Sequence, residues 1–333
     1  MVSLALKSRS RGYNSFEVKL NENQSLDSLT VQDLKSIIKK STKLDSIRQR
    51  LTTADKKVLD DDRKALSDYN ILDGDEITFK DLGRQISWRT VFLIEYVRPA
   101  RLSILLGPLI IHPLFYFPNP LSNQIYKGPV LHSTMQKSAF AMVMAHFVKR
   151  ELETILVEQK LVLLKSSINS VHRFSNATMP FRNIFKNSFH YWILSGVLLA
   201  IPIYGQNSSS YKLASTIFDS PAWLGSCLAL WTYAELSNLT VHMHLRSLRP
   251  PGTKTRVLPY GYGFKLVHCP NYFFESLAWF AFTALTGSWA SGLFLSVSTT
   301  QMSLWALKKS KTYKKEFGDQ VPKTRKAIFP FIL

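Results

Sequence analysis

The hydrophobic pattern of the chain changes character near residue 84. Before that point apolar residues are spaced singly. In FEVKL, residues 16–20, Phe16, Val18 and Leu20 alternate with polar residues, the period of a half-buried strand. In SLTVQDLKSIIKK, Leu29, Leu34, Ile37 and Ile38 fall on one helical face, and Thr30 with Asp33 fits a capping box. LSDYNILDGDEITFKDL places a turn at Asp73-Gly74 before a closing strand. From about Ser87 onward the apolar residues come in long runs instead. Candidate membrane spans cover roughly 88–117, 138–157, 189–204, 222–243, 264–287 and 288–307. The first is long and carries Glu95, Arg98 and Arg101, so seven crossings are the alternative to six. The last two are broken only at Gly287-Ser288, which predicts a tight helical hairpin.

Charge follows the same division. The chain of 333 residues carries 42 Lys+Arg against 23 Asp+Glu, a net charge of +19. Residues 1–83 hold 15 basic and 14 acidic residues, so almost the whole excess lies beyond them. There the basic residues punctuate apolar runs, which suits a membrane protein better than a nucleic-acid surface. With the N-terminus in the cytosol, the loops on the lumenal side contain only Lys127, Lys137 and Lys212. The other loops and the C-terminal tail hold the basic clusters, so both termini are expected in the cytosol. The N-terminal residues show no apolar stretch of signal-peptide type. Cys227 and Cys269 make no disulfide framework. The expected fold is mainly α, a polytopic membrane bundle over 84–333. It follows a small α/β domain over 1–83 whose parts resemble the ubiquitin-like β-grasp fold.

Three acids, Glu95, Glu235 and Glu275, fall inside predicted spans. A carboxylate in hydrocarbon is costly, so each faces a polar site or glues helices together. The densest polar run is NLTVHMHLRSLRPPGTKTRVLPYGYG. Asn238, His242, Arg246 and Arg249 are spaced to share a helical face, and Lys254 and Arg256 follow a Pro-Pro-Gly turn. Guanidiniums at a membrane surface fit either a nucleotide phosphate or anionic lipid head groups. His242, His244, His268 and Cys269 do not supply the spacing of a metal centre, so none is expected. There is no glycine-rich phosphate loop, so a bound nucleotide must be held by side chains. In HCPNYFFE, Tyr272 suits an interfacial anchor or a general acid.

These segments resemble the very-long-chain trans-2,3-enoyl-CoA reductases of the steroid 5α-reductase superfamily. The likeness rests on KRELETI (149–155), HRFSNATMPFRNIFKNS (172–188), NLTVHMHLRSLRPPGTKTRVLPY (238–260), CPNYFFE (269–275) and the ending RKAIFPFIL. It implies NADPH-dependent reduction of a trans-2-enoyl-CoA, the last step of each fatty-acid elongation cycle. It also implies the endoplasmic reticulum membrane and other elongation enzymes as partners. Residue by residue, the resemblance makes Tyr272 the proton donor, Lys149 its catalytic companion and Glu95 a substrate contact. Asn238, Arg249, Arg256, Asn271, Lys309 and Tyr313 match positions lining the NADPH site, with His242 among them. Two departures stand out. His146-Phe147 replaces a frequent His-Tyr, which throws weight onto Tyr272, and residues 158–171 intervene where family members run on directly. A sterol double-bond reductase is the alternative enzyme. A membrane scaffold is the non-enzymatic alternative, and it leaves the 238–256 cluster unexplained.

Overall fold

A computed structural model describes residues 3–19, 25–87, 106–163, 178–206, 212–213, 215–248 and 257–333. It divides into two compact units, Met1–Thr90 with Ser175–Ile184, and Val91–Phe174 with Phe185–Leu333. The first unit is a sheet with one helix against it. Its elements are β1 (Ser3–Ser8), β2 (Phe16–Lys19), α1 (Val31–Thr42), β3 (Gln49–Thr53) and β4 (Glu76–Asp81). The strand order is β2-β1-β4-β3. β1 pairs antiparallel with β2 and parallel with β4, and β3 closes antiparallel on β4. Leu4, Leu6, Leu51, Ile77 and Phe79 point inward from the strands to meet Leu34 and Ile38 of α1. The capping box forms as the sequence predicts. Thr30 Oγ1 accepts from the Asp33 N–H at 3.2 Å, and Asp33 Oδ2 accepts from the Thr30 N–H at 3.0 Å. The turn before β4 uses Gly74 at φ +81°.

Two strands of this sheet, β1 and β3, escape the periodicity reading. β3 offers only Leu51 and β1 only the short run Leu4–Leu6 as apolar residues, and both strands pair with β4, distant in sequence. A further pair, β5 (Gln85–Ser87) with β6 (Thr178–Pro180), is antiparallel. It brings residues 178–180, which hydropathy assigns to the second domain, into the first unit.

The second unit is helical. It contains α2 (Leu106–Tyr116), α3 (Pro120–Tyr126), α4 (Thr134–Leu163), all but the first two residues of α5 (Asn183–Tyr204), α6 (Pro221–Ser247), α7 (Pro270–Thr286) and α8 (Trp289–Phe317). Each predicted span holds a helix among the described residues, but 88–105 of the first lies outside them, the span expected from 264 becomes helical only at Pro270, and α3 falls in the expected lumenal loop 118–137. Among the described residues one helix, α5, is long and apolar enough to cross a membrane. Its stretch Phe189–Val197 is π-helical. His112 ties α2 to α5, with Nδ1 2.7 Å from the Tyr204 hydroxyl and Nε2 2.8 Å from the Ser195 carbonyl. The α7–α8 hairpin turns at Gly287, whose φ of +55° favours glycine, and Ser288 caps α8. At the other end of α7, Gly263 has φ +76°. A Cβ there would lie 2.5 Å from Pro270, the first residue of the helix. The preceding loop can therefore pack directly on the start of α7.

Candidate functional site

Helices α4, α6 and α7 meet around a polar interior. On α4, His146, Lys149, Arg150 and Glu153 have the spacing of one face. On α6, Glu235, Asn238 and His242 do the same, and on α7 Asn271, Glu275 and Trp279 recur every four residues. These faces interlock. His146 Nδ1 lies 2.7 Å from Glu235 Oε1, and its Nε2 lies 3.4 Å from Glu275 Oε1. The Lys149 ammonium is 2.6 Å from Glu235 Oε2 and donates to Asn238 Oδ1 at 2.8 Å. Asn238 Nδ2 donates to the Asn271 carbonyl at 2.9 Å and to Glu275 Oε2 at 3.2 Å. Trp279 Nε1 donates to Glu275 Oε1 at 3.2 Å. Toward one end, Glu153 Oε2 takes the Arg150 guanidinium at 2.9 Å and faces His242 Nδ1 at 3.1 Å.

Three carboxylates thus face two permanent cations and two imidazoles. Glu235 is 5% exposed and Asn238 1%. Charges taken out of water this far are stable only when paired and hydrogen-bonded, and here each carboxylate meets at least two partners. Lys149, Asn238, His242 and Asn271, four of the residues singled out in the sequence, belong to this one network. Glu235 and Glu275, read from sequence as polar groups within spans, are its central carboxylates. His146, Glu153 and Trp279 complete it. The i,i+3 and i,i+4 spacings in HFVKRELE were the available signal for His146 and Glu153.

Tyr272 stands in the first turn of α7 but faces another way. Its N–H bonds the Cys269 carbonyl at 3.1 Å. Its side chain packs with Cys269, Met302, Ala306, Ala327 and Ile328, and its ring centroid lies 6.2 Å from that of Trp305. Among the described residues no bond joins it to Lys149, whose partners are Glu235, Asn238 and Glu153. Lys309 and Tyr313 lie about one and two turns further along α8 from Trp305. The Lys309 ammonium is 5.7 Å from the Tyr313 ring centroid, and that ring is 5.7 Å from His268. Glu95, Arg249 and Arg256 lie outside the described residues.

The C-terminal segment braces this second group. The His268 N–H bonds the Lys326 carbonyl at 2.8 Å, and the Cys269 N–H bonds that of Ala327 at 3.1 Å. Arg325, 3% exposed, donates from Nη1 to the Pro259 carbonyl at 3.1 Å and sits 5.1 Å from the Tyr260 ring centroid. Burial pulls the Arg325 guanidinium below its ordinary value. No sequence signal singled out Arg325, because its role depends on contacts with residues more than sixty positions away.

The comparisons with known proteins agree over most of the chain. The family described as 3-oxo-5-alpha-steroid 4-dehydrogenase matches residues 177–333. A Schizosaccharomyces pombe protein that carries an enoyl-reductase name is 44% identical, over 91% of this chain and 92% of its own. The Dictyostelium discoideum very-long-chain enoyl-CoA reductase is 38% identical, over 92% and 93%. A Caenorhabditis elegans protein named as a very-long-chain enoyl-CoA reductase is 35% identical, over 90% and 89%. This chain belongs to the very-long-chain enoyl-CoA reductase family. Reductases of this family use a nicotinamide cofactor, and the described residues fit one. Asn271 Oδ1 and both ring nitrogens of His268 are buried without a hydrogen-bond partner among the described residues. Asn271 and His268 precede Tyr272 by one residue and four residues in sequence. The Lys309 ammonium near His268 and Tyr313 adds the positive charge that a dinucleotide phosphate needs.

Proposed function

We propose that this protein reduces the 2,3-double bond of a trans-2-enoyl-CoA with NADPH, in the closing step of a fatty-acid elongation cycle. The observation that carries the reading is the convergence of three distant segments. Lys149 of KRELET, Asn238 of NLTVH and Asn271 of CPNY meet through two hydrogen bonds on a single amide. The residue after Asn271 is Tyr272. Bound NADPH supplies the hydride for the β-carbon. The hydroxyl of Tyr272 gives the proton to the α-carbon, and the half-buried setting of its ring keeps bulk water from competing for that carbon. Asn238, His242, Arg249, Arg256, Asn271, Lys309 and Tyr313 hold the cofactor, and Glu95 contacts the substrate. Lys149, held in the network, fixes positive charge near the first turn of α7.

The same reading places the helical unit in the endoplasmic reticulum membrane with both termini cytosolic, beside other elongation enzymes. It is supported by the sorting of residues on the helices. Leu236 is 58% exposed beside the buried Glu235, and Phe189, Phe280, Leu304 and Trp305 also face outward. Apolar residues outside and charges inside suit lipid. The N-terminal unit, a mixed four-stranded sheet carrying one helix, supports assignment to the ubiquitin-like β-grasp fold.

A steroid substrate is the second reading, favoured by the family description that matches 177–333. One assay separates the two. NADPH oxidation by purified membranes is expected with trans-2-enoyl-CoA and not with a 4-ene-3-ketosteroid, and the reverse preference overturns the first reading.

A further inference from the structure

Two helices present matched pairs to each other. His146 and Lys149 are three residues apart on α4, and Glu235 and Asn238 are three apart on α6, so each pair shares a face. A single carboxylate links the α4 pair. Glu235 sets Oε1 2.7 Å from His146 Nδ1 and Oε2 2.6 Å from Lys149 Nζ. Lys149 then has Asn238 Oδ1 at 2.8 Å and Glu153 Oε1 at 3.6 Å. An ammonium has three N–H groups, and here three protein acceptors face them.

We propose that Glu235 is a positioning residue, braced by His146, that fixes the Lys149 ammonium against the Asn238 amide; the inference rests on the reductase reading above. A lysine side chain has a long flexible stem and many accessible positions. Glu235 selects one of them, because the half-buried ammonium finds the buried Glu235 carboxylate there. His146 does the same for Glu235. Its ring is held on its far side by Glu275 at 3.4 Å and by the Trp279 ring, with centroids 4.9 Å apart. Asn238 passes the constraint onward by donating to the Asn271 carbonyl, one residue before Tyr272. The line Glu235–Lys149–Asn238–Asn271 therefore runs from the interior of the helices to the first turn of α7. Glu235 takes no part in the proposed bond changes and acts only through these neighbours. A residue that merely fills space could be any polar group of that size, whereas this role needs the negative charge.

The test uses the full chain in native membranes, with NADPH and a trans-2-enoyl-CoA, and compares Glu235→Gln with Glu235→Asp. The uncharged isostere is expected to lower kcat by about 10–100-fold, the usual cost of removing a supporting partner. KM for the enoyl-CoA is expected to stay within about threefold, because an interaction made for the chemical step and not for binding that substrate is lost. Glu235→Asp keeps the charge and is expected to recover most of kcat. A kcat for Glu235→Gln within about twofold of wild type, or an aspartate variant no better than the glutamine one, would overturn the inference. If Glu235→Gln does not accumulate in folded form, the Glu235→Gln/Lys149→Gln double variant removes both charges together and is expected to restore folded yield. A double variant as depleted as the single one overturns the pairing. Wild-type membranes without enoyl-CoA turnover would remove the reductase reading and this inference with it. Wild-type turnover with an unaffected Glu235→Gln removes the inference alone.

Discussion

The sheet unit and the helical unit both enclose an apolar core, but among the described residues the helical unit also encloses charged and polar side chains and leaves large apolar ones outside. In the sheet unit Leu4, Leu6, Leu34, Ile38 and Phe79 are enclosed, and lysines and aspartates such as Lys39 and Asp45 pair on the outside. In the helical unit Glu235, Asn238 and His146 are enclosed, and Leu236, Phe280 and Trp305 lie outside. The first arrangement is what water selects, since burying apolar surface is the main favourable term of folding. The second suits the proposed membrane setting, where apolar exteriors cost little and charges find partners inside. A polar residue in the interior thus means different things in the two units. In the sheet it would be a defect unless satisfied, and between the helices it belongs to the paired network that the proposed function uses.

The strongest way to sharpen this contrast is at Tyr272. Tyr272→Phe keeps the ring and its packing against Trp305, Met302 and Ala327, and removes only the hydroxyl. The expected loss of kcat is about 10²–10⁴-fold at unchanged NADPH binding, read by turnover normalised to bound cofactor. Activity within a few-fold of wild type would return Tyr272 to an anchoring role.

A core truncation tests the sheet side. Leu34→Ala removes the fully buried side chain that α1 sets against the strands, and is expected to cost the first unit about 2–5 kcal/mol. Hydrogen exchange on the full chain should report it as faster exchange confined to β1–β4 and α1. Spread of the effect into α6 and α7 would mean that the two units do not unfold separately.

An exterior charge tests the other side. Leu236→Asp places a carboxylate on the exposed face of α6, next to Glu235. If lipid covers that face, insertion is disfavoured by about 2.5–3.5 kcal/mol, and the carbonate-resistant membrane fraction falls. Full retention in the membrane would break the inside-out reading of this helix.

The smallest effect concerns Asp81 at the end of β4. Burial raises its carboxyl, but hydrogen bonds from the Arg48 guanidinium and the Gly83 N–H outweigh this and hold it below the ordinary 3.8. The folded state therefore binds this proton less readily than the unfolded one. Its stabilisation is fully present above about pH 4 and is lost as pH falls through the lowered value. Acid titration of unfolding should show wild type and Asp81→Asn converging at low pH and separating above it. A constant gap down to the acid limit would remove Asp81 from the account.

Much of this was legible without coordinates where the signal was local. The capping box at Thr30 and Asp33, the turn at Gly74 and the hairpin break at Gly287 each depend on residues within a few positions, and each formed as the pattern predicts. The helices of the second unit announced themselves by long apolar runs, except the short α3, which lies in the expected loop 118–137. Strands β1 and β3 did not, because their identity is set by pairing with β4, more than twenty residues away. The candidate site divides in the same way. Glu235 and Glu275 were conspicuous as acids in apolar runs. Their partners His146, Lys149 and Asn238 could not be assigned to them, because partners are chosen by how helices pack and not by spacing along one of them.

What the sequence determined by itself was most of the helices, the charge division near residue 84 and the residue types available for chemistry. These follow from short-range periodicity, which a single helix or strand already obeys. Only the tertiary structure decided that one carboxylate, Glu235, would serve both His146 and Lys149, and that Asn238 would join them to the turn carrying Tyr272. It also decided that Lys149 and Tyr272 would point to different neighbours. Hydrogen bonds and ion pairs reach only a few ångströms, so they exist between distant residues only after packing has brought the helices into register.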